Sequence, residues 1–223
     1  MDDERALRFP ISEKVFHNTN AVTWFILIIT GSLVYFHLVD KTTAAGGFLM
    51  DIHVIAAVIF TFNFLAFVFI NPDRFYLMLD ELFRWDMDDF RWFKNLGGYP
   101  RKFGIPFGPE ETAPVGKYNA GQKLAYILFV FSIVFEGLSG WLLYLYREAM
   151  PRDFTSLLFT WHVWLGVVVT LLVIFIHLPL SIINFEDFKA MWKWGEGDMP
   201  LKVLKHHNPK WVEKELEKVE KTT

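Results

Sequence analysis

The 223-residue chain is 53% hydrophobic and 18% aromatic, richer in apolar residues than an average soluble domain, and reads as an integral membrane protein. Its net charge of -3 decides little, because in a membrane chain the distribution of Lys and Arg matters more than their total. With no cysteine, disulfides, thiolate-held iron-sulfur clusters and thioether-attached haem are excluded, so any cofactor must be held by nitrogen or oxygen.

The amino terminus carries Asp2, Asp3, Glu4 and Glu13 and has no small-residue cleavage site, so no removable signal peptide is expected. Four apolar stretches follow, at about 15–39, 48–70, 121–146 and 154–183. Each reaches the roughly twenty residues that cross a bilayer. The expected fold is all-α, an integral membrane four-helix bundle forming one domain over residues 1–223. A short, flexible connection at Thr42–Gly47 makes the first two helices antiparallel neighbours. The third and fourth are joined by a short link, Arg147 to Arg152, with Pro151 as helix breaker.

Outside the spans, Lys and Arg number three before the first and eight between Arg74 and Lys123, with eight more from Lys189 onward. The two short links hold one and two. By the positive-inside rule both termini and the long middle connection are cytoplasmic, and the short links face outward. Within the middle connection, Arg74 to Leu96 interleaves aromatic residues with charges, as one or two amphipathic helices in the headgroup layer would. The Gly- and Pro-rich part from Gly97 to Pro114 reads as loop. The tail, from about Asp187, ends in an amphipathic stretch from Lys210 to Lys221 that either covers the cytoplasmic end of the bundle or is a solvated helix.

Histidines are the candidate functional residues. His162 and His177 lie fifteen residues apart in the fourth span. At about 1.5 Å and 100° per residue they sit about 22 Å apart along the axis and about 60° apart around it, so both can face one interior. His17 lies early in the first span, near the cytoplasmic face, and His53 early in the second, near the outer face. The depths therefore pair His17 with His177 and His53 with His162. Two axial imidazoles at one depth can clamp an iron porphyrin from both sides, leaving it fit for electron transfer rather than oxygen chemistry. Zinc would need a third and fourth ligand, and neither depth offers one. The alternative is a set of interior histidines bonded to neighbouring helices; ionisable groups inside a membrane are costly and tend to be functional, which favours ligands. Gly31 and Gly166 would permit close approach.

The remaining polar residues leave alternatives open. His37, twenty residues beyond His17, would turn about 200° away from it and reads as interfacial. His206 and His207 in the tail read as surface residues. Glu136, inside the third span, is either a neutral hydrogen-bonded acid or part of a proton path. Pro179 is expected to kink the last helix near His177. Asn119 and Gln122, three apart where the third helix begins, form either a capping box or, with Tyr118, donors to the carbonyl oxygens of a quinone.

The run Val115-Gly116-Lys117-Tyr118-Asn119-Ala120-Gly121-Gln122-Lys123 resembles the signature of the gamma subunit of respiratory formate dehydrogenase, a di-haem membrane cytochrome b. The tail Lys205-His206-His207-Asn208-Pro209-Lys210-Trp211 and the pairing of His162 with Gly166 are similar to that family too. The resemblance implies two haem b groups, the inner on His17 and His177 and the outer on His53 and His162. It also implies menaquinone or ubiquinone at Tyr118, Asn119 and Gln122. An iron-sulfur subunit and a molybdenum or tungsten catalytic subunit would sit at the outer face of a bacterial or archaeal-type inner membrane; no nucleic-acid partner is expected. The spacing of His162 and His177 is one residue longer than the resemblance implies, and the middle connection is longer and more aromatic. Cytochrome subunits of hydrogenases or of quinol-oxidising reductases are alternatives, and a haem-free membrane anchor is an alternative of another class.

Overall fold

The computed structural model describes residues 4–222; of the expected domain 1–223, residues 1–3 and 223 lie outside the described residues. The chain is an all-α membrane helical bundle, with four helices among the described residues long and apolar enough to span a bilayer. They are α1 (Ile11–Tyr35), α2 (Ala44–Ile70), α6 (Ala120–Tyr146) and the run Arg152–Ile183. That run consists of α7 (Arg152–Leu172), a π turn (Val173–His177) and α8 (Leu178–Ile183). By packing, the chain divides into two compact units: Phe9–Arg74 with Phe129–Gly197, and Met1–Arg8 with Phe75–Leu128 and Asp198–Thr223.

The first of these units holds the spans apart from the first turns of α6, together with α9 (Phe185–Trp192). Its α1 lies mainly against α2, where Phe16 stacks on Phe67 with ring centres 4.3 Å apart. Polar side chains link the helices where water cannot. Asn63 donates to Phe16 O and Asn20 Oδ1, both at 3.0 Å. Trp24 donates to Thr170 Oγ1, and Trp141 to Thr61 Oγ1, both at 2.9 Å. Each such bond contributes on average about 0.6 kcal/mol in a membrane bundle. The apolar side chains that face outward, Phe62, Phe69 and Ile70 among them, are exposed to the lipid.

The first span is shifted one turn toward the amino terminus relative to the expected 15–39. Pro10 starts it, and Lys14, though charged, is buried because its Nζ donates to Lys193 O and Gly195 O at 2.6 and 2.7 Å. It ends at Tyr35 because His37 adopts φ 57°, a left-handed turn in which Val39 N reaches back to Leu33 O at 3.0 Å. The second span begins earlier than expected for the complementary reason. Thr43 caps it, accepting from Gly46 N at 3.2 Å, so Ala44–Gly47 is helix rather than flexible turn. Glycine is required at 46: a Cβ there would lie 2.2 Å from Asp40 O.

The second unit contains the middle connection. It folds as α3 (Pro72–Phe83), which begins in the other unit, α4 (Met87–Trp92), a 3-10 turn (Leu96–Gly98) and α5 (Tyr99–Lys102), so a helical turn interrupts the expected loop. Met78 and Leu82 of α3 and Trp92 of α4 are buried. A reciprocal capping box of Asp86 and Asp89 starts α4. Asp89 also holds the buried Lys123 at 2.7 Å, and Lys123 donates to Arg84 O at 2.7 Å.

The tail forms β2 (Gly197–Pro200), α10 (Leu201–His207) and α11 (Pro209–Thr222), and β2 pairs with β1 (Arg5–Phe9), a two-stranded ribbon that the apolar pattern did not announce. Arg5 bonds Asp198 across it. Of the amphipathic stretch Lys210–Lys221, the side chains beyond Glu215 lie outside the described residues. Asn208 donates to Gly116 O at 2.7 Å, and Arg8 to Lys117 O at 2.6 Å. The tail motif and the motif before α6 are thus tied directly.

Candidate functional site

The four candidate histidines stand on three spans of one unit, in the two pairs that their depths suggest. Helix α1 supplies His17, and the π turn His177; their ring centres are 6.2 Å apart and tilted by 46°. Two imidazoles on one metal, each nitrogen about 2.0 Å from it and each ring centre about 1.1 Å behind its nitrogen, would be about 6 Å apart. The pair therefore has the separation of axial ligands. Trp192 meets the edge of His17 at 6.0 Å, and Phe129 that of His177 at 5.7 Å. The π turn accounts for the extra residue between His162 and His177: Leu178 N bonds Val173 O, five residues back rather than four. One residue is absorbed there, so the pair behaves roughly as fourteen helical steps, about 40° apart around the axis. Pro179 was expected to kink the last helix; what lies just before it is this π turn, with α-helical backbone angles at Leu172, His177 and Leu178.

At the other depth, His53 of α2 and His162 of α7 line one cavity of about 740 Å³. This lies within the roughly 300–1,000 Å³ of small-molecule and cofactor sites. Its walls are mostly apolar, with Lys41, Arg147 and Arg152 among the lining residues. Two glycines lie against the imidazoles: a Cβ on Gly31 would be 3.2 Å from His53 Cε1, and one on Gly140 would be 3.1 Å from His162 Cε1. Gly31 was expected to serve close approach; Gly140 was not. Gly166 also lines the cavity, but a Cβ there would meet Glu136 Oε1 at only 3.8 Å, an ordinary contact.

Hydrogen bonds fix which ring nitrogen each histidine offers. The Thr30 hydroxyl donates to Ile26 O at 2.7 Å, so its oxygen is left to accept from His53 Nδ1 at 2.9 Å. Asn18 donates through Nδ2 to Met191 O at 3.2 Å, which turns its Oδ1 to accept from His17 Nδ1 at 2.9 Å. His162 Nδ1 lies 2.8 Å from Glu136 Oε2 and 2.8 Å from Ser139 Oγ. In the rings of His53 and His17 the proton sits on Nδ1, and an ionised Glu136 would hold it there in His162, which leaves the Nε2 lone pair for a metal. This donor set fits the axial positions of an iron porphyrin, and the cavity with its glycine-lined imidazoles fits the ring. Three cations on the lining can meet carboxylates at a porphyrin's edge.

Sequence alone missed the acceptors. Thr30 lies on a different helix from His53, and Ser139 and Glu136 on a different helix from His162. The one available signal was the three-residue spacing of Glu136 and Ser139, which puts both on one face of α6. His37 lies outside the helix in an exposed turn, and His206 with His207 ends α10, their rings 5.3 Å apart.

Tyr118, Asn119 and Gln122 belong to the other unit. Asn119 N bonds Gln122 Oε1 at 3.0 Å and Gln122 N bonds Asn119 Oδ1 at 2.9 Å, a complete capping box at the start of α6. The box uses both amide oxygens and neither amide nitrogen. Tyr118 is buried, its ring 4.8 Å from that of Tyr126.

A family model described as prokaryotic cytochrome b561 matches residues 8–194. No curated protein matches the chain.

Proposed function

Because the chain belongs to the prokaryotic cytochrome b561 family, a haem b electron-transfer subunit of the bacterial inner membrane with several spans, we propose that it carries electrons across that membrane on two haem b groups. In this reading the donor is an iron-sulfur partner at the outer face, beyond which lies a molybdenum or tungsten catalytic subunit of formate dehydrogenase type, and the acceptor is a quinone near the cytoplasmic face. Family membership removes the alternative of a haem-free anchor.

The observation that carries the two-haem reading is the pair of histidine sets, each drawn from two helices, with Nδ1 held by a neighbour in three of the four rings. His17 and His177 would hold the inner group, and His53 and His162 the outer. Haem b supplies one-electron reduction at iron without bond breaking. The chain's own contribution would be to orient the imidazoles, to exclude water with aromatic and aliphatic walls, and to hold each group with two histidines. Carrying a charge across the bilayer costs about 2.3 kcal/mol per 100 mV, small enough for a low-potential donor such as formate to supply.

The quinone is proposed at Tyr118, Asn119 and Gln122. Two free amide nitrogens at the start of α6, Asn119 Nδ2 and Gln122 Nε2, support this, because a quinone's two carbonyl oxygens need donors and the capping box leaves these unused. Capping and quinone binding are therefore compatible in one motif.

The test is purification of the membrane complex, with its subunits identified and the b-type absorption followed on adding formate. Two haems per chain, reduced by formate and reoxidised by a quinone, are expected. Reduction by hydrogen and not by formate, with a hydrogenase subunit in the complex, would move the chain to the hydrogenase alternative.

A further inference from the structure

Glu136 is the one acidic side chain at the centre of a membrane span that takes part in the candidate site. Its side chain is 11% exposed, and its Oε2 lies 2.8 Å from His162 Nδ1. Its Oε1 is buried, with the Gly166 backbone as its other polar neighbour, so its main polar side-chain contact is that imidazole. A buried carboxyl group with so few partners is an expensive feature for a membrane protein to keep. The chain keeps it against one ring of the four: His53 meets a threonine hydroxyl and His17 an asparagine amide oxygen.

We propose that Glu136, as the carboxylate, is a positioning residue that holds His162 as ligand and makes the outer haem the lower-potential one of the two. This deepens the reading in which His162 is an axial ligand, and rests on it. A carboxylate accepting the Nδ1 proton makes a charge-assisted hydrogen bond, about twice as strong as one to a neutral acceptor. It fixes the ring and raises the basicity of Nε2. A more basic axial ligand stabilises the ferric state relative to the ferrous state, and the nearby negative charge acts in the same direction. Neither effect exists on the His17 side, where the acceptor is a neutral amide.

Two of the three cations on the cavity lining stand far from this bond. Arg147 is eleven residues from Glu136 and Arg152 ten from His162. At about 1.5 Å per residue they stand about 15 Å or more along the helices from the Glu136–His162 bond. Ser139, also 2.8 Å from His162 Nδ1, braces the ring without adding charge. The consequence is a built-in direction: electrons arriving at the outer face meet the low-potential site first and move inward downhill.

The experiment is a redox titration of both haems, with low-spin electron paramagnetic resonance spectra, in Glu136→Gln, Glu136→Asp and His162→Ala. His162→Ala identifies the outer haem as the signal that disappears. Glu136→Gln is expected to favour reduction of that haem about tenfold at fixed potential, about 59 mV for one electron, to move its g values, and to leave the other haem alone. Glu136→Asp is expected to restore most of the shift. An unchanged potential and spectrum for that haem in Glu136→Gln overturns the proposal. If instead both signals survive His162→Ala, the ligand assignment fails, a separate outcome. Should Glu136→Gln take up no outer haem, Asn18→Asp carries the test by placing a carboxylate against His17 Nδ1. It is expected to disfavour reduction of the other haem about tenfold, and no change there would overturn the proposal as well.

Discussion

The two histidine pairs are built from the same residue type and supported in different ways. At the outer pair each imidazole is braced by a neighbouring span: His53 on α2 by Thr30 on α1, His162 on α7 by Glu136 and Ser139 on α6. At the inner pair the brace is local. His17 is held by the next residue, Asn18, and His177 sits on a π turn with aromatic edges around it. The outer pair is thus the more strongly polarised of the two, with a carboxyl group against one ring where the inner pair has an amide oxygen.

The largest expected effect breaks the comparison outright. In His53→Ala or His162→Ala, about half of the b-type absorbance should be lost and the remaining haem should keep its spectrum, because each haem needs both of its axial ligands. His17→Ala or His177→Ala should remove the other half. Loss of both haems from any one variant would mean that the pairs are not independent, and retention of both would remove the residue from the ligand set.

A smaller effect tests how tightly the outer pair is seated. Gly140→Val adds bulk where even a Cβ would lie 3.1 Å from His162 Cε1, and the contact must push the ring from its place. Partial loss of the outer haem, or a broadened signal at full content, is expected. Gly47→Ala is the control, since a Cβ there meets nothing within 4 Å. It should leave both spectra unchanged and add up to about 1 kcal/mol of helix stability.

These two experiments also mark what was legible in the sequence. The four spans were, because an apolar run of twenty residues has few other solutions, and so was the grouping of His17, His53, His162 and His177, because depth follows from position along a span. The braces were not. Thr30 reads as one more small polar residue in a helix, and Ser139 likewise; only the fold brings them to an imidazole. Glu136 stood out as costly, but nothing in the sequence says which residue it meets. Both ends of α1 and the start of α2 were misplaced by about one turn because Pro10, Thr43 and the left-handed His37 set them, and hydropathy carries none of these signals. The pairing of β1 with β2 joins segments from opposite ends of the chain and has no local signature.

Isosteric variants can separate the two roles of the α6 start. Asn119→Asp and Gln122→Glu keep the capping oxygens and delete the amide nitrogens. If the nitrogens bind quinone, turnover or binding of a quinone analogue should weaken by about tenfold, the range of about 1 to 1.5 kcal/mol for a lost hydrogen bond, while haem content and thermal stability hold. Asn119→Ala should lose both, with about 1 kcal/mol of stability gone with the cap. Unchanged turnover in the two isosteric variants would leave the motif as a cap alone.

The smallest effect comes from a polar cluster outside the spans. Lys210 reaches Asp86 at 2.7 Å and Asp88 at 2.5 Å, tying α11 to the start of α4. Its ammonium holds both carboxyl groups below their usual value of 3.8. Burial works against the ammonium, but the two aspartates outweigh it and raise Lys210 above 10.5. The signs fix the window. Depressed carboxyl groups contribute stability that is present above pH 3.8 and lost as pH falls through their lower folded values. The raised ammonium contributes stability that is present below pH 10.5 and lost as pH rises through its higher folded value. Between those limits the attachment should not respond to pH, and because the Asp86 side chain is 56% exposed, water and salt screen it. Lys210→Ala should therefore cost about 1 kcal/mol or less, read as faster hydrogen exchange in α4 and the first turns of α11 with both haem spectra unchanged. A Glu136→Gln shift in haem potential alongside haem spectra unchanged in Lys210→Ala would show that a charge matters to the haem only where it meets a candidate ligand.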